Sequence, residues 1–116
     1  MTIANLPQLP PRKRALIEQL VSQLGQVPGL VAVVLGGSYA SGTQHETSDL
    51  DLGLYYLEAD PFPIPHIQRI AQSISVREPL TVTGFYGWGP WVNGGAWIHT
   101  RQGKLDFIYR NLDQVQ

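Results

Sequence analysis

The sequence predicts a single α/β (α+β) domain, and three observations carry that class. Two stretches set apolar residues at helical spacing: Leu16, Ile17, Leu20, Val21 and Leu24, then Ile67, Ile70, Ala71 and Ile74. Around them lie short runs that alternate apolar with polar, or are continuously apolar, as strands do. The chain has 116 residues, 43% apolar and 15% charged, which suits one globule with a modest core. The expectation is one unit over residues 1–116, with the globule at about 11–110.

In order, residues 1–10 are irregular and punctuated by Pro7 and Pro10. A helix is expected from about Pro11 to Leu24, because proline fits a first turn where its missing N–H is not needed. Arg12, Lys13, Glu18 and Gln19 are read as lying off its apolar stripe, the basic ones as a solvated helix start, and Gly25 as its stop. Leu30 to Leu35 is a continuous apolar run that predicts a strand covered on both faces. Gly36-Gly37 ends it, Ser38 to Ser41 has the form of a first helical turn, and residues 42–48 are polar connector. From Asp49 to Tyr56 strict alternation sends Leu50, Leu52, Leu54 and Tyr56 to one face and Asp49, Asp51, Gly53 and Tyr55 to the other. The leucine face belongs to the core, so the carboxylate face is solvent or a site.

Three prolines make a loop of Leu57 to Pro65, and a second helix is expected from about Pro65 to Ser75. A strand follows at Arg77 to Thr83, then a turn-rich loop at Gly84 to Gly95 that carries Trp88 and Trp91. Ala96 to Thr100 and Lys104 to Arg110 read as strands joined by a tight turn at Arg101-Gln-Gly103. Asn111-Leu-Asp-Gln114 has the form of a helix start, which predicts that a longer protein or a partner continues the fold.

A net charge of −1 argues against a surface that grips long nucleic acid, and leaves room for a small nucleotide. The absence of cysteine excludes disulfides and thiolate zinc sites. No apolar run is long enough for a membrane helix, and no signal peptide is visible, so a cytoplasmic protein is expected.

Three motifs carry chemistry. Gly36-Gly37-Ser38 follows an apolar strand, and such a turn lets backbone N–H groups approach a phosphate closely. Gly37 to Thr43 has the spacing of a phosphate-binding P-loop but lacks its lysine, which weakens that alternative. Asp49 and Asp51 share a strand face about 6.6 Å apart and suit a hard ion such as magnesium, or simply a polar face open to water. Asp106 sits mid-strand between Leu105 and Phe107, where a lone aspartate is more often merely exposed. Trp88, Trp91 and Trp97 read as packing residues, with stacking on a base or acceptor as the alternative.

Taken together, Leu35-Gly36-Gly37-Ser38, then Asp49-Leu50-Asp51-Leu52, then Leu105-Asp106-Phe107 resemble the nucleotidyltransferase superfamily. That superfamily includes DNA polymerase beta, kanamycin nucleotidyltransferase and the minimal nucleotidyltransferases of bacterial toxin–antitoxin pairs. The resemblance covers about residues 30–110. The Trp88 to Trp97 segment and the Leu105 to Arg110 ending also resemble a bacterial branch in which a helical domain follows. The resemblance implies a small mixed sheet with helices mainly on one face. It implies that Gly36, Gly37 and Ser38 hold the triphosphate of a nucleotide such as ATP. Asp49 and Asp51 would ligate Mg2+, with Mn2+ as a substitute, and Asp106 would ligate a second ion or help deprotonate the acceptor. The activity implied is transfer of a nucleoside monophosphate to a hydroxyl of a small molecule or protein. The alternative is an antitoxin-type module that binds or modifies a helical partner protein.

Overall fold

The computed structural model describes residues 9–36, 50–78, 80–90 and 93–114. Among them the order is α1 (Pro11–Leu24), β1 (Ala32–Gly36), β2 (Leu50–Tyr56), α2 (Ile64–Ile74), β3 (Thr81–Val82), β4 (Gly95–Thr100) and β5 (Gly103–Asn111). The strands form one five-stranded sheet in the order β1-β2-β5-β4-β3. Only β2 and β5 run parallel, so the sheet is mixed.

Helix α1 starts on Pro11 and turns Ile17, Leu20 and Leu24 inward until all three are fully buried. Lys13 departs from expectation: it stands one turn before Ile17 on the buried stripe and is itself buried. A lysine can bury its four-carbon stem along apolar surface, which the polarity of the sequence conceals. Arg14 stays outside and donates to Glu18 Oε1 at 3.0 Å. Helix α2 begins one residue earlier than expected and buries Ile67, Ala71 and Ile74, with Ile70 at the margin.

Both helices cover the same face of the sheet. Their apolar stripes join one core with Val33, Leu35, Leu50, Leu52, Leu54, Ile98, Leu105 and Phe107. Each fully buried residue of that size contributes about 1.5–3 kcal/mol. Strand β1 is therefore covered on one face, not two. Val33 and Leu35 are fully buried, while Val34 between them is exposed. A continuous apolar run fits a half-covered edge strand as well as a doubly covered one.

Two further expectations are corrected. The strand at Arg77 to Thr83 shrinks to Thr81–Val82, because Glu78 turns its carboxylate back to accept the Leu80 N–H at 3.1 Å. Asn111 ends β5 instead of starting a helix. Its Oδ1 accepts the Asp113 N–H at 3.0 Å, which makes a turn across 111–114. Asn111 does cap, as its type suggests, but it caps a turn.

At the far end of the sheet Tyr56, Phe62, Phe85 and Tyr109 pack ring against ring, with centroids 4.5–5.4 Å apart. This cluster ties the loop after β2 and the loop after β3 to the sheet. Among the described residues no helix is long and apolar enough to cross a membrane.

Candidate active site

Alternation along β1, β2 and most of β4 and β5 divides the sheet into two faces. Residues beside the helices are buried, and their neighbours in sequence stand on the open face. On that open face the register aligns one row across five strands. Gly36 pairs with Asp51, Asp51 with Asp106, Asp106 with Trp97, and Trp97 with Thr81. Adjacent strands lie about 4.8 Å apart, so Asp51 and Asp106 are immediate neighbours although 55 positions separate them in the chain.

The surroundings of these carboxylates differ. Asp51 is half-buried, and Gly36 beside it has no side chain; a Cβ there would stand 3.9 Å from that of Asp51. That space is therefore open for a ligand to reach the carboxylate from the β1 side. Asp106 has a side chain only 18% exposed, and its Oδ2 lies 3.9 Å from Lys104 Nζ. The leucine and phenylalanine on either side of Asp106 are fully buried, which sets its strand firmly in the core. A concavity of about 220 Å³ adjoins Asp51 on the open face and is lined by Gly36, Gly53, Tyr55 and Arg110. The Tyr55 ring lies over Gly53, where a Cβ would strike it at 2.9 Å.

As a divalent-metal site the chemistry of the donors fits in part. Two aspartates one strand apart can both reach one small hard cation, which takes oxygen ligands at about 2.0–2.1 Å. Among the described residues no third carboxylate or imidazole joins them. The third expected ligand, Asp49, lies outside the described residues, as do Gly37, Ser38 and Trp91. Of the six residues expected in the site, the structure thus describes Gly36, Asp51 and Asp106 and brings all three into one row.

Trp97 occupies the next place in the row. Its neighbours Ala96 and Ile98 are fully buried, yet Trp97 is 49% exposed. The Trp88 ring stacks on it with centroids 5.1 Å apart and planes at 24°. Trp88 is held by Asn93, whose carbonyl accepts the Trp88 N–H at 2.7 Å. Asn93 is buried in the left-handed region at φ 72°. Its Nδ2 donates to Tyr56 Oη at 2.9 Å, and its Oδ1 accepts the Tyr86 N–H at 2.7 Å. Burial pushes the Tyr56 phenol above its ordinary pKa, with the Asn93 hydrogen bond acting in the opposite sense. Burial also raises Tyr109 strongly, and its hydroxyl donates to the Thr83 carbonyl at 2.7 Å.

Sequence reasoning left Trp97 among the packing residues, although one signal for its place was available. A turn at Arg101-Gln102 sets Thr100 opposite Gly103, and counting three residues outward along each strand puts Trp97 opposite Asp106. Tyr55 and Arg110 were also missed as lining residues, since only the parallel β2–β5 pairing brings them together.

The family model described as the nucleotidyltransferase domain matches residues 14–83, more than half of the chain. The chain belongs to the nucleotidyltransferase domain family. Gly36, Asp49 and Asp51 fall inside the matched span, and Asp106 and Trp97 lie beyond it. A search of the curated proteins and a search of the solved structures each gave no match. The small mixed sheet with two helices on one face is compatible with a nucleotidyltransferase-like fold. Nucleotidyl transfer is the general chemistry of this nucleotidyltransferase domain family, which commonly uses divalent metals.

Proposed function

We propose that this chain is a magnesium-dependent nucleotidyltransferase that moves a nucleoside monophosphate from a triphosphate to a hydroxyl of a small molecule or protein. The observation that carries the reading is the side-by-side register of Asp51 and Asp106, with Gly36 next in the same row. Gly36, with Gly37 and Ser38 after it, binds the β- and γ-phosphates through backbone N–H groups and the Ser38 hydroxyl. Asp49, Asp51 and Asp106 are the metal ligands. A bound divalent ion supplies charge stabilisation at the α-phosphate and at the leaving oxygen. Asp106 pairs with β4 in the register, which supports a role for it in receiving the proton of the acceptor hydroxyl. The net charge of −1 supports a small nucleotide over a long nucleic acid, and the reading is of a cytoplasmic enzyme using ATP or a related triphosphate.

The test is a screen of the four nucleoside triphosphates with magnesium, following binding and pyrophosphate release. One triphosphate is expected to turn over, and Asp49→Asn is expected to abolish turnover while circular dichroism stays that of the wild type. Unchanged turnover in that variant would contradict the assignment.

A further inference from the structure

We infer that Trp97, backed by Trp88, is the platform on which the acceptor lies, so that the acceptor is a hydroxyl compound presenting a flat ring face. The inference rests on the nucleotidyl-transfer reading and deepens it. The order of the row is the starting point: Gly36, Asp51, Asp106, Trp97. In phosphoryl and nucleotidyl transfer the attacking and leaving oxygens stand roughly in line on opposite sides of the phosphorus. Under that reading pyrophosphate leaves toward Gly36 at the β1 end of the row, with the α-phosphorus over the carboxylates. The attacking oxygen therefore enters from the β4 end, which is where Trp97 stands. In that step the acceptor oxygen bonds to the α-phosphorus and its proton passes to the Asp106 carboxylate. The bond from the α-phosphorus to the bridging oxygen breaks, and pyrophosphate departs with the electron pair.

The residue at that end is built to receive a ring. An indole left 49% exposed between two fully buried neighbours leaves unburied a surface that a flat ligand can cover. One strand spacing of about 4.8 Å separates it from Asp106, so a ring lying on Trp97 places its own hydroxyl substituent over the carboxylate. The platform is also held rigid. Trp88 covers part of the indole, and Asn93 fastens the Trp88 backbone through its carbonyl while anchoring itself to Tyr56 and Tyr86. A surface ordered before binding costs less to use than one that must be ordered by the ligand.

The experiment measures nucleotidyl transfer by the full chain, using the triphosphate selected by the screen and magnesium. Three probe alcohols are compared: benzyl alcohol, methyl β-glucopyranoside and glycerol. Wild type, Trp97→Phe and Trp97→Ala are assayed by mass spectrometry, with pyrophosphate release by the wild type as the control. A ring alcohol is expected to exceed glycerol in kcat/KM, and which ring does so separates an aryl from a sugar acceptor. Trp97→Ala should remove that advantage, a fall of roughly tenfold, the size of one lost ring stack. Trp97→Phe keeps a stacking ring and should retain most of it, which separates lost stacking from lost folding. Equal use of glycerol and both rings, no transfer to either ring, or an advantage that survives Trp97→Ala would overturn the inference alone. A loss falling on the triphosphate KM instead would place the nucleobase on Trp97 and overturn it too. No pyrophosphate release by the wild type with any triphosphate would bring down the nucleotidyl-transfer reading, and this inference with it.

Discussion

Asn93 shows how much a single residue can hold in this molecule. It sits at φ 72°, where a side chain is tolerated at a cost and asparagine is among the few that visit routinely. Its amide satisfies the Tyr56 hydroxyl and the Tyr86 N–H together. Asn93→Ala keeps the strained backbone, removes both hydrogen bonds and leaves the Tyr86 N–H without its acceptor, so a loss of about 2–4 kcal/mol is expected. Asn93→Gly loses the same hydrogen bonds but relieves the backbone, and should be milder by about 1 kcal/mol. Urea unfolding midpoints of the two variants check that order; equal midpoints would mean the backbone strain is absent. Asn93 itself could not have been singled out from sequence, because its partner Tyr56 is 37 positions away. The aspartates were easier. Asp51 announces its face by alternating with Leu50 and Leu52, and Asp106 does so between Leu105 and Phe107. What alternation cannot supply is that the two faces are the same face, which requires the β2–β5 pairing.

At the scale of elements, the β4–β5 hairpin sets the geometry of the β4 side of the site. Two glycines in it play different parts. Gly103 follows the turn at φ 107° with open space around it, so Gly103→Ala should cost only the backbone strain, about 1 kcal/mol. Gly95 lies against the next strand, and a Cβ there would run into the Phe107 carbonyl oxygen. Backbone cannot move aside as a side chain can, so Gly95→Ala should cost about 3 kcal/mol. Thermal or urea unfolding of the pair tests whether the strand contact outweighs the turn. The hairpin was legible from its Arg101-Gln-Gly103 turn, and so were both helices, within a residue or so at their ends. The short β3 was not legible, since the turn that Glu78 makes onto the Leu80 N–H competes with the strand its neighbours favour. The single-sided burial of β1 was hidden because an edge strand and a central strand can share one apolar sequence.

For the molecule as a whole, one covered face and one open face are the organising fact. The covered face includes Tyr56 and Tyr109, both with raised pKa values because burial opposes their charged forms. A group whose folded pKa lies above its unfolded value contributes stability below the unfolded pKa and loses it as pH rises toward the folded one. Unfolded tyrosines release protons near pH 10 while the buried ones keep theirs, so above pH 10 the unfolded state is favoured progressively. Urea unfolding at about pH 9 and pH 11 should show falling stability, up to about 1.4 kcal/mol per pH unit for each tyrosine. Tyr109→Phe should flatten that slope. A slope as steep as in the wild type would mean that Tyr109 does not contribute.

The open face carries the proposed chemistry, and its central claim is that Asp51 and Asp106 work as one unit across β2 and β5. The most direct measurement is magnesium-dependent pyrophosphate release by Asp51→Asn and Asp106→Asn, each compared with wild type at matched folding by circular dichroism. Each variant is expected to fall by at least about a hundredfold. Wild-type release by Asp106→Asn, alongside a crippled Asp51→Asn, would contradict the pairing on which the site is built.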